Sequence, residues 1–346
     1  ISLIEEKGVP FKDFVQLDPE DDPDTRQTVA RGHTMGCFYI ESPAMRLLQK
    51  KTRVGDFRHL VIHSSIIRPA ANEFIQEYIQ RLHTGVWEPI HPLLESVLDE
   101  TYGIMVYQED VSKVAVKMAG FSHAKADGLR KIMSKKDKAR QLNDYYRQFR
   151  DGALARGVTE TDIKRVWDMI TSFSGYSFCK PHSASYARVS FQAAYLKTHY
   201  PAEFMAAVIS NQGGFYSTFA YVSEARRLGV IIRHPDVNRS QIKWTGSRKS
   251  VRVGFMAVKA LSRSTMSRIL SERKQSVFIS AEDFFSRVRP HEDEVRALIH
   301  SGGLDSLNSR SNRSVLLWQF CAWQKNQTVQ GKELTLFETG MARPSA

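Results

Sequence analysis

The clearest signal of secondary structure in the sequence is the stretch Ala126-Asp-Gly-Leu-Arg-Lys-Ile-Met-Ser-Lys-Lys136. Its apolar residues Leu129, Ile132 and Met133 stand at positions i, i+3 and i+4, which is the spacing of one buried face of an α-helix. Outward from this stretch, residues 102–211 keep almost the same period of 3.6 residues. The sequence therefore predicts a multi-helical domain whose helices are interrupted near Gly120, Gly157, Gly175 and Pro201.

The segment 125–156 is strongly basic, with ten lysines and arginines, four aspartates and thus a net charge of +6. Lys131 and Lys135 share one face of the predicted helix, and Arg130 lies beside them. Like charges at this spacing repel by about 0.2–0.5 kcal/mol per pair, whereas a bound phosphate would make the same cations favourable. Two interpretations stay open at this point, an anion-binding face and an ordinary solvated basic face.

A Gly- and Ser-rich stretch, Gly175–Tyr186, combines a cation, an imidazole and aromatic rings, and it is predicted as a loop before a further helix. Lys180 and His182 near the start of that helix are suited to meet an anion, because the first turn of a helix has free N–H groups. Tyr186 is suited to stack on a base. The alternative is structural, with the rings in the core and His182 capping a neighbouring segment. The helix itself is predicted to pack through Val189, Ala193, Leu196 and Tyr200.

The composition favours a folded, soluble protein with a polyanionic partner. The 346 residues carry a net charge of +12, and nucleic acid is the first candidate for the partner. The three cysteines are far apart, which excludes a disulfide framework and fits a reducing cytoplasm. No stretch has the length of a membrane span and no signal peptide is recognisable, so we expect no membrane partner. The chain begins at Ile1 instead of Met, and we expect it to be part of a longer protein.

Several kinds of catalytic or metal site are not predicted. The acidic run Leu17–Asp24 is better explained by helix capping and proline turns than by Mg²⁺ binding. His59 and His63 lack a third zinc ligand and are predicted to be packing residues. The sequence contains no phosphate-binding P-loop motif, no nucleophile elbow and no recognisable pair of strand aspartates for two-metal chemistry. We therefore predict no metal site and no catalytic residue in this chain.

Four stretches in the same order resemble the bacterial replicative DNA polymerase III alpha subunit, a C-family polymerase. Two further stretches, Gly214–Ser217 and Ala225–Gly229, are similar to the error-prone branch of that family. The resemblance extends from about Ile1 to Leu307 and implies a mainly α fold, with multi-helical fingers, a small α+β segment and a tandem helix-hairpin-helix module. The four stretches are Thr101–Asp110, Ala126–Lys136, Gly175–Tyr186 and Leu196–Ala207.

The resemblance also implies a division into five parts. These are a palm-proximal part of the fingers (1–100), the core fingers (101–212), a connecting α/β segment (213–250), the tandem helix-hairpin-helix module (251–310) and a tail (311–346).

The family likeness favours the anion-binding interpretation of the basic helix. It implies that Arg130 and Lys131 grip the triphosphate of an incoming dNTP, and that the loop carrying Lys180 closes on the nascent base pair. The implied nucleotide-binding residues are Arg130, Lys131, Lys135, Lys180, His182 and Tyr186.

Hairpin modules usually bind DNA phosphates through glycine-containing turns. The first turn here, Val258–Ser264, lacks both glycines and is expected to grip duplex DNA poorly, whereas the second, His300–Asp305, keeps the expected form. Ala70 also stands where the family has a glycine after Arg68-Pro69. The implied DNA-binding residues are Lys136, Arg68, Lys259, Arg263, Arg268, Gly302 and Gly303.

The family likeness also implies cofactors and partners. The full-length enzyme would use Mg²⁺ held by palm aspartates outside this chain, with dNTP as substrate, so this chain alone should not polymerise. Primer-template DNA, a sliding clamp and other replicase subunits are the implied partners in the cytoplasm. Clamp binding would use Leu334, Leu336 and Phe337 in the tail. The alternatives are a non-catalytic DNA-binding or clamp-adaptor module and the fingers of an error-prone translesion polymerase.

Overall fold

The computed structural model describes residues 2–5, 18–68, 71–133, 139–172, 179–307 and 312–338. The chain divides into two compact units, Lys12–His199 and Ile1–Phe11 together with Tyr200–Ala346. The described residues are mainly helical, which confirms the predicted fold class. Among the described residues, no helix has both the length and the apolar character needed to cross a membrane.

The first unit consists of helices joined by short turns. Single 3₁₀ turns at Pro92–Leu94 and Asp99–Thr101 flank its shortest helix. Its α-helices are α2 (Pro23–Ala30), α3 (Pro43–Thr52), α4 (Phe57–Ile66), α5 (Asn72–Thr84), α6 (Glu95–Leu98), α7 (Gln108–Ala119), α8 (His123–Met133), α9 (Ala139–Leu154), α10 (Glu160–Thr171) and α11 (Lys180–His199), with α1 (Ser2–Glu5) preceding them in the other unit.

Polar residues set the starts of several of these helices. Asp22 accepts a hydrogen bond from the backbone N–H of Thr25 at 2.7 Å, and Pro23 occupies the first turn of α2. The capping interpretation of the acidic run is therefore confirmed. Asp56 caps α4 in the same way through the N–H of His59 at 3.0 Å. At its C-terminal end, α5 is followed by Gly85, which adopts a left-handed φ of 65°.

The core of the first unit lies between α7, α8, α9 and α10. The predicted stripe of α8 is buried, with Leu129 0%, Ile132 9% and Met133 1% exposed. Facing side chains of the other helices, among them Met118 and Phe149, are also fully buried. Burial of such large apolar side chains contributes about 1.5–3 kcal/mol each, so this packing holds α8 against α7 and thereby positions Arg130 and Lys131.

The helix α11 differs from its prediction in two respects. It starts at Lys180, so Lys180, His182 and Tyr186 lie on a helix and not in a loop. Its predicted packing stripe is also wrong, because Val189 is 45% exposed. The buried face consists mainly of small residues, which let neighbouring backbones approach closely, and it includes Ser183, Ala187, Ser190 and Ala194.

The second unit combines helices with a small sheet. The strands are β1 (Ile231–Arg233), β2 (Thr245–Ser247) and β3 (Ser250–Arg252), in the order β1-β3-β2. Ile231 pairs with Ser250 in the parallel β1–β3 ladder, and Thr245 pairs with Arg252 in the antiparallel β2–β3 ladder. These strands form the sheet of the small α+β segment that the family resemblance implies.

The helices of the second unit bury an aromatic core. Phe255, Phe284 and Phe285 are each 0% exposed within it. The helices after α1 are α12 (Pro201–Asn211), α13 (Thr218–Arg227), α14 (Arg263–Gln275), α15 (Ala281–Val288), α16 (Glu292–Ser301) and α17 (Arg313–Glu338), with 3₁₀ turns at Phe255–Ala257 and Asp305–Leu307.

The boundary between the units differs from the predicted domain boundary at residue 212. The chain divides at His199, and α12 belongs to the second unit together with the small sheet. Gly246 of β2 shows how close this packing is, because a Cβ atom there would lie 2.3 Å from the carbonyl oxygen of Ala202. The five functional parts that the family resemblance implies stay a prediction.

Candidate functional site

The candidate site of the first unit lies around the N-terminal end of α7. Asp110 accepts hydrogen bonds from the backbone N–H groups of Val106, at 3.1 Å, and Tyr107, at 2.9 Å. Burial raises the pKa of Asp110 to about 6. This cap holds the first turn of α7, and with it the side chains of Gln108 and Glu109, in one arrangement.

Arg130 on α8 reaches this first turn. Its Nη1 donates to Gln108 Oε1 at 3.2 Å, and its Nε donates to Asp127 Oδ1 at 2.9 Å. Lys131 forms an ion pair with the other oxygen of the same carboxylate, with 2.8 Å between Nζ and Oδ2. Hydrogen bonds from Lys131 and Arg130 hold the pKa of Asp127 below its usual range. The exposed carboxylate of Asp127 therefore pairs with both Arg130 and Lys131, the two cations that the family resemblance assigns to a triphosphate.

Lys180 on α11 approaches the same turn from the other side. Its backbone N–H donates to Glu109 Oε2 at 3.2 Å, and its Nζ forms an ion pair with Glu100, 2.7 Å from Oε1. The ammonium group also lies 5.3 Å from the ring centre of Tyr107. Arg130 and Lys180 thus contact the consecutive residues Gln108 and Glu109, although 50 positions separate the two cations in the sequence.

His182 and Tyr186 belong to an aromatic cluster on the same helix. Their ring centres are 4.1 Å apart, one turn of α11 from each other. Tyr186 also packs edge-on against Phe38 at 5.3 Å and Tyr39 at 4.9 Å. Phe38 remains 48% exposed. The sequence reasoning missed this pair, although both residues lie in a short apolar run before Pro43.

Three predicted residues of the first unit are not in this arrangement. Lys135 and Lys136 lie outside the described residues. Arg68 is only 5% exposed, and its guanidinium donates to the carbonyl oxygen of Met105 at 3.0 Å. Burial lowers the pKa of Arg68 to about 10. In this fold Arg68 is therefore an internal residue, and a DNA phosphate would not reach it.

The two histidines outside the site are packing residues, as predicted. His59 Nδ1 lies 2.7 Å from Asp56 Oδ2. His63 is fully buried, with its ring edge-on to Tyr78 at 5.9 Å. Within the described part of the chain, neither ring nitrogen of His63 has a hydrogen-bond partner. Burial lowers the pKa of His63 to about 3.

This buried imidazole should make the first unit sensitive to acid. Unfolded, His63 would take up a proton below its ordinary pKa of 6.5, whereas folded it stays neutral to about pH 3. Its contribution is complete above pH 6.5 and is lost as the pH falls, by about 2 kcal/mol between pH 6.5 and 4.5. We expect His63→Leu to remove that part of the loss, as measured by urea unfolding at both pH values. Equal losses in both proteins would show that His63 does not cause it.

No group of three or more His, Cys, Asp or Glu side chains that could hold a metal ion occurs among the described residues. Asp127 and Glu100 are each bound to a cation already. Asp110 caps α7, and Glu109 accepts a hydrogen bond from the backbone N–H of Lys180. The side chains present do not fit a Mg²⁺ site, and we derive no step of the chemistry through a metal held by this chain.

The first predicted hairpin of the second unit has an unexpected backbone. Ala260 adopts a left-handed φ of 68°, the conformation for which the missing glycine would be favoured. In the described part of the chain, the N–H groups of Lys259 and Ala260 donate to no acceptor. Arg263 follows as the first residue of α14, and its side chain is exposed. The turn therefore presents N–H groups and cations to solvent without the usual glycines.

The side chain of Glu294 supports the turn around Ala260 through hydrogen bonds. Its carboxylate accepts hydrogen bonds from the N–H of Ser262 at 2.9 Å, the hydroxyl of Thr265 at 2.9 Å and the N–H of His291 at 2.9 Å. These hydrogen bonds hold the pKa of Glu294 below its usual range although burial opposes them. One side chain thereby joins the starts of α14 and α16.

The second predicted hairpin behaves differently from its prediction. Gly302 and Gly303 are buried, and their N–H groups donate to the carbonyl oxygens of Ile299 at 3.0 Å and Leu298 at 2.7 Å. The left-handed φ of Gly302, 84°, serves the end of α16. The two N–H groups thus cap a helix, and in this fold they are not offered to a phosphate.

The predicted clamp-binding residues also lie in a helix. The backbone at positions 334, 336 and 337 belongs to α17. Clamp binding through Leu334, Leu336 and Phe337 stays a prediction.

Comparison with known families gives two matches. Residues 3–157 match the model of the bacterial DNA polymerase III alpha subunit finger domain. Residues 229–315 match a helix-hairpin-helix motif. The first match includes α7 and α8, and the second includes the turn around Ala260.

Curated relatives extend the likeness over most of the chain. The DNA polymerase III subunit alpha of Thermus aquaticus is 35% identical over 341 residues, which cover 95% of this chain and 28% of the relative. The protein of the same name from Xylella fastidiosa is 36% identical over 313 residues, 88% of this chain and 26% of the relative. That from Deinococcus radiodurans is 34% identical over 326 residues, 89% of this chain and 24% of the relative. This chain thus spans about a quarter of the length of these relatives.

Proposed function

Because the chain belongs to the bacterial DNA polymerase III alpha subunit family, we propose that it supplies the nucleotide-binding and DNA-binding surfaces of a DNA-directed DNA polymerase. The incoming dNTP binds at the first turn of α7, and primer-template DNA binds at the first hairpin of the second unit. The polymerase acts in the cytoplasm with Mg²⁺ held outside this chain.

Contacts of Arg130 and Lys180 at the first turn of α7 carry this proposal. The Arg130 guanidinium donates to Gln108. The backbone N–H of Lys180 donates to Glu109, and its ammonium group lies 5.3 Å from the ring centre of Tyr107, the residue before this turn. Lys131 adds a third cation beside them through Asp127. A triphosphate needs several cations at neighbouring positions, and side chains on two different helices provide them here. A solvated basic face would not require α8 and α11 to meet at one turn.

The cations are currently paired with carboxylates that are partly exposed. Asp127 is 41% and Glu100 38% exposed in their side chains. Exposed ion pairs of this kind contribute little to stability because solvent screens them, so a polyphosphate with several oxygens can replace the carboxylates. Asp127 and Glu100 keep the cations in place until the nucleotide arrives.

The chemical role of these cations follows from where charge develops. The primer hydroxyl attacks the α-phosphate, a new O–P bond forms, and the bond to the β-phosphate breaks with release of pyrophosphate. Negative charge therefore grows on the leaving pyrophosphate, where Arg130, Lys131 and Lys180 stabilise it. The aromatic cluster of His182, Tyr186 and Phe38 packs against the nascent base pair.

Lys180→Met in the full-length polymerase tests the position of the nucleotide. The substitution keeps the length of the side chain and removes its charge. We expect kcat/KM for dNTP to fall about 20-fold, since one charge-assisted hydrogen bond contributes about 1.5–3 kcal/mol.

Lys164→Met on the exposed surface of α10 is the matched control. It should leave kcat/KM within a factor of two of the wild-type value. The assignment of Lys180 fails when both variants show the same kinetics.

A further inference from the structure

We propose that a basic hollow in the first unit, at the C-terminal ends of α2 and α3, binds the phosphodiester backbone of DNA. This inference rests on the proposed function, and it adds a third anion-binding site to the nucleotide site and the hairpin described above. The hollow has a volume of about 430 Å³ and is lined by Gln27, Ala30, Arg31, His33, Lys50 and Arg53.

Two glycines bring the helix ends together. A Cβ atom at Gly55 would lie 2.0 Å from the carbonyl oxygen of Arg26, and one at Gly32 would lie 2.4 Å from that of Arg46. Arg46 Nε donates to the carbonyl oxygen of Gly32 at 3.0 Å. The backbone after each helix therefore runs directly against the other helix, and the basic side chains are held at one place.

The cations of the hollow have no acidic neighbour among the residues that line it. Some arginines of the same unit have a carboxylate partner, as in the pairs Arg26–Asp21, Arg81–Glu77 and Arg150–Glu160. Arg31, Lys50 and Arg53 form no ion pair with any described residue, and no carboxylate lines the hollow. Their side chains are all exposed.

Helix dipoles explain only part of this charge. Each helix C-terminus carries about half a negative charge, so two ends together compensate about one cation. Arg31, Lys50 and Arg53 carry three positive charges, which leaves an excess of about two around one concave surface. A polyanion would reduce the repulsion between them, and its phosphates would replace solvent as their hydrogen-bond partners.

The lining favours a backbone over a free nucleotide. Among the side chains around the hollow, none offers a large apolar face for a base except the ring of His33. The recognition is thus of charge alone, and this is how proteins contact DNA without reading its sequence. The template strand that pairs with a dNTP at the α7 site has further backbone phosphates, which can contact such a surface.

The test uses the chain described here and a fluorescein-labelled primer-template with a single-stranded overhang. The cluster variant is Arg31→Gln/Lys50→Gln/Arg53→Gln. The control variant Lys117→Gln/Arg147→Gln/Lys164→Gln removes the same charge from other exposed positions of the unit. Anisotropy titrations between 50 and 200 mM KCl give the affinity and its salt dependence.

We expect the cluster variant to bind at least tenfold more weakly than wild type, with a log–log salt slope smaller by about 2–3. The control should lose less than threefold. The variant Arg31→Lys/Arg53→Lys keeps the charges and should keep the affinity, which separates a contact from a folding defect. Equal losses in the cluster and control variants would overturn the proposal.

Inorganic phosphate distinguishes the source of the anion. Calorimetric binding of millimolar phosphate to wild type but not to the cluster variant, with unchanged DNA affinity, would identify a free-anion site and overturn the DNA assignment. A wild-type chain without salt-dependent DNA binding would instead contradict the proposed function, and the inference with it.

Discussion

Replacing Arg130 and Lys131 together by alanine is expected to lower kcat/KM for dNTP about 10³-fold in the full-length polymerase. Both cations sit on Asp127 and can transfer to a triphosphate together. Each lost charge-assisted hydrogen bond costs about 1.5–3 kcal/mol, and two such losses amount to about three powers of ten. Steady-state kinetics on a primed template measures the effect.

The same variant should bind primer-template DNA almost as tightly as wild type, because the double substitution leaves the hairpin unchanged. Lys117→Ala/Lys164→Ala removes two exposed cations of the same unit and serves as the control. A kcat/KM within threefold of wild type for the Arg130 and Lys131 variant would refute the triphosphate assignment.

Replacing Lys259, Arg263 and Arg268 by alanine should weaken duplex binding about 100-fold at 100 mM salt. Lys259 lies in the turn with the exposed N–H groups, Arg263 begins α14 and Arg268 follows on the same helix. None of the three has an ion-pair partner among the described residues. Three lost phosphate contacts should also reduce the salt slope by about 2.7. Anisotropy with a blunt duplex measures both quantities.

The control for the hairpin is Arg226→Ala/Lys249→Ala/Lys274→Ala, which removes three exposed cations of the second unit. It should lose no more than a few-fold in affinity, since it only reduces the general charge. If the two triple variants are equivalent, the first hairpin is not the DNA contact of this unit.

The helix α8 shows what local sequence can predict. Leu129, Ile132 and Met133 carry a strong apolar period next to charged residues, and their burial follows directly from that contrast. The basic face was visible for the same reason. The periodicity does not predict the hydrogen-bond partners of each cation, because the partners Asp127 and Gln108 are brought together only when α7 and α8 pack.

The helix α11 shows the limit of the same reasoning. Its buried face carries Ser183, Ala187 and Ser190, which hydropathy does not mark as a core. The hydroxyl of Ser65 donates a hydrogen bond to Ser183 Oγ across the packed helices, at 2.7 Å. Whether such small side chains are buried depends on the helix that packs against them, and the sequence of α11 alone does not show this. The hydropathy of Val189 therefore predicts the wrong buried face.

The hairpins show that a motif does not fix the role of its residues. Glycines at positions 302 and 303 match the expected pattern, yet their N–H groups cap α16. The turn without glycines reaches the left-handed conformation at Ala260, and Glu294, far along the chain, supports it. Such tertiary support leaves no trace within the turn itself.

A structure of the full-length protein with primer-template DNA and a non-hydrolysable dNTP would show directly where the triphosphate binds. We expect the triphosphate to lie about 3 Å from the guanidinium of Arg130 and the ammonium of Lys180. We also expect the ion pairs with Asp127 and Glu100 to be broken. A triphosphate bound elsewhere, with both pairs intact, would contradict the proposed nucleotide site.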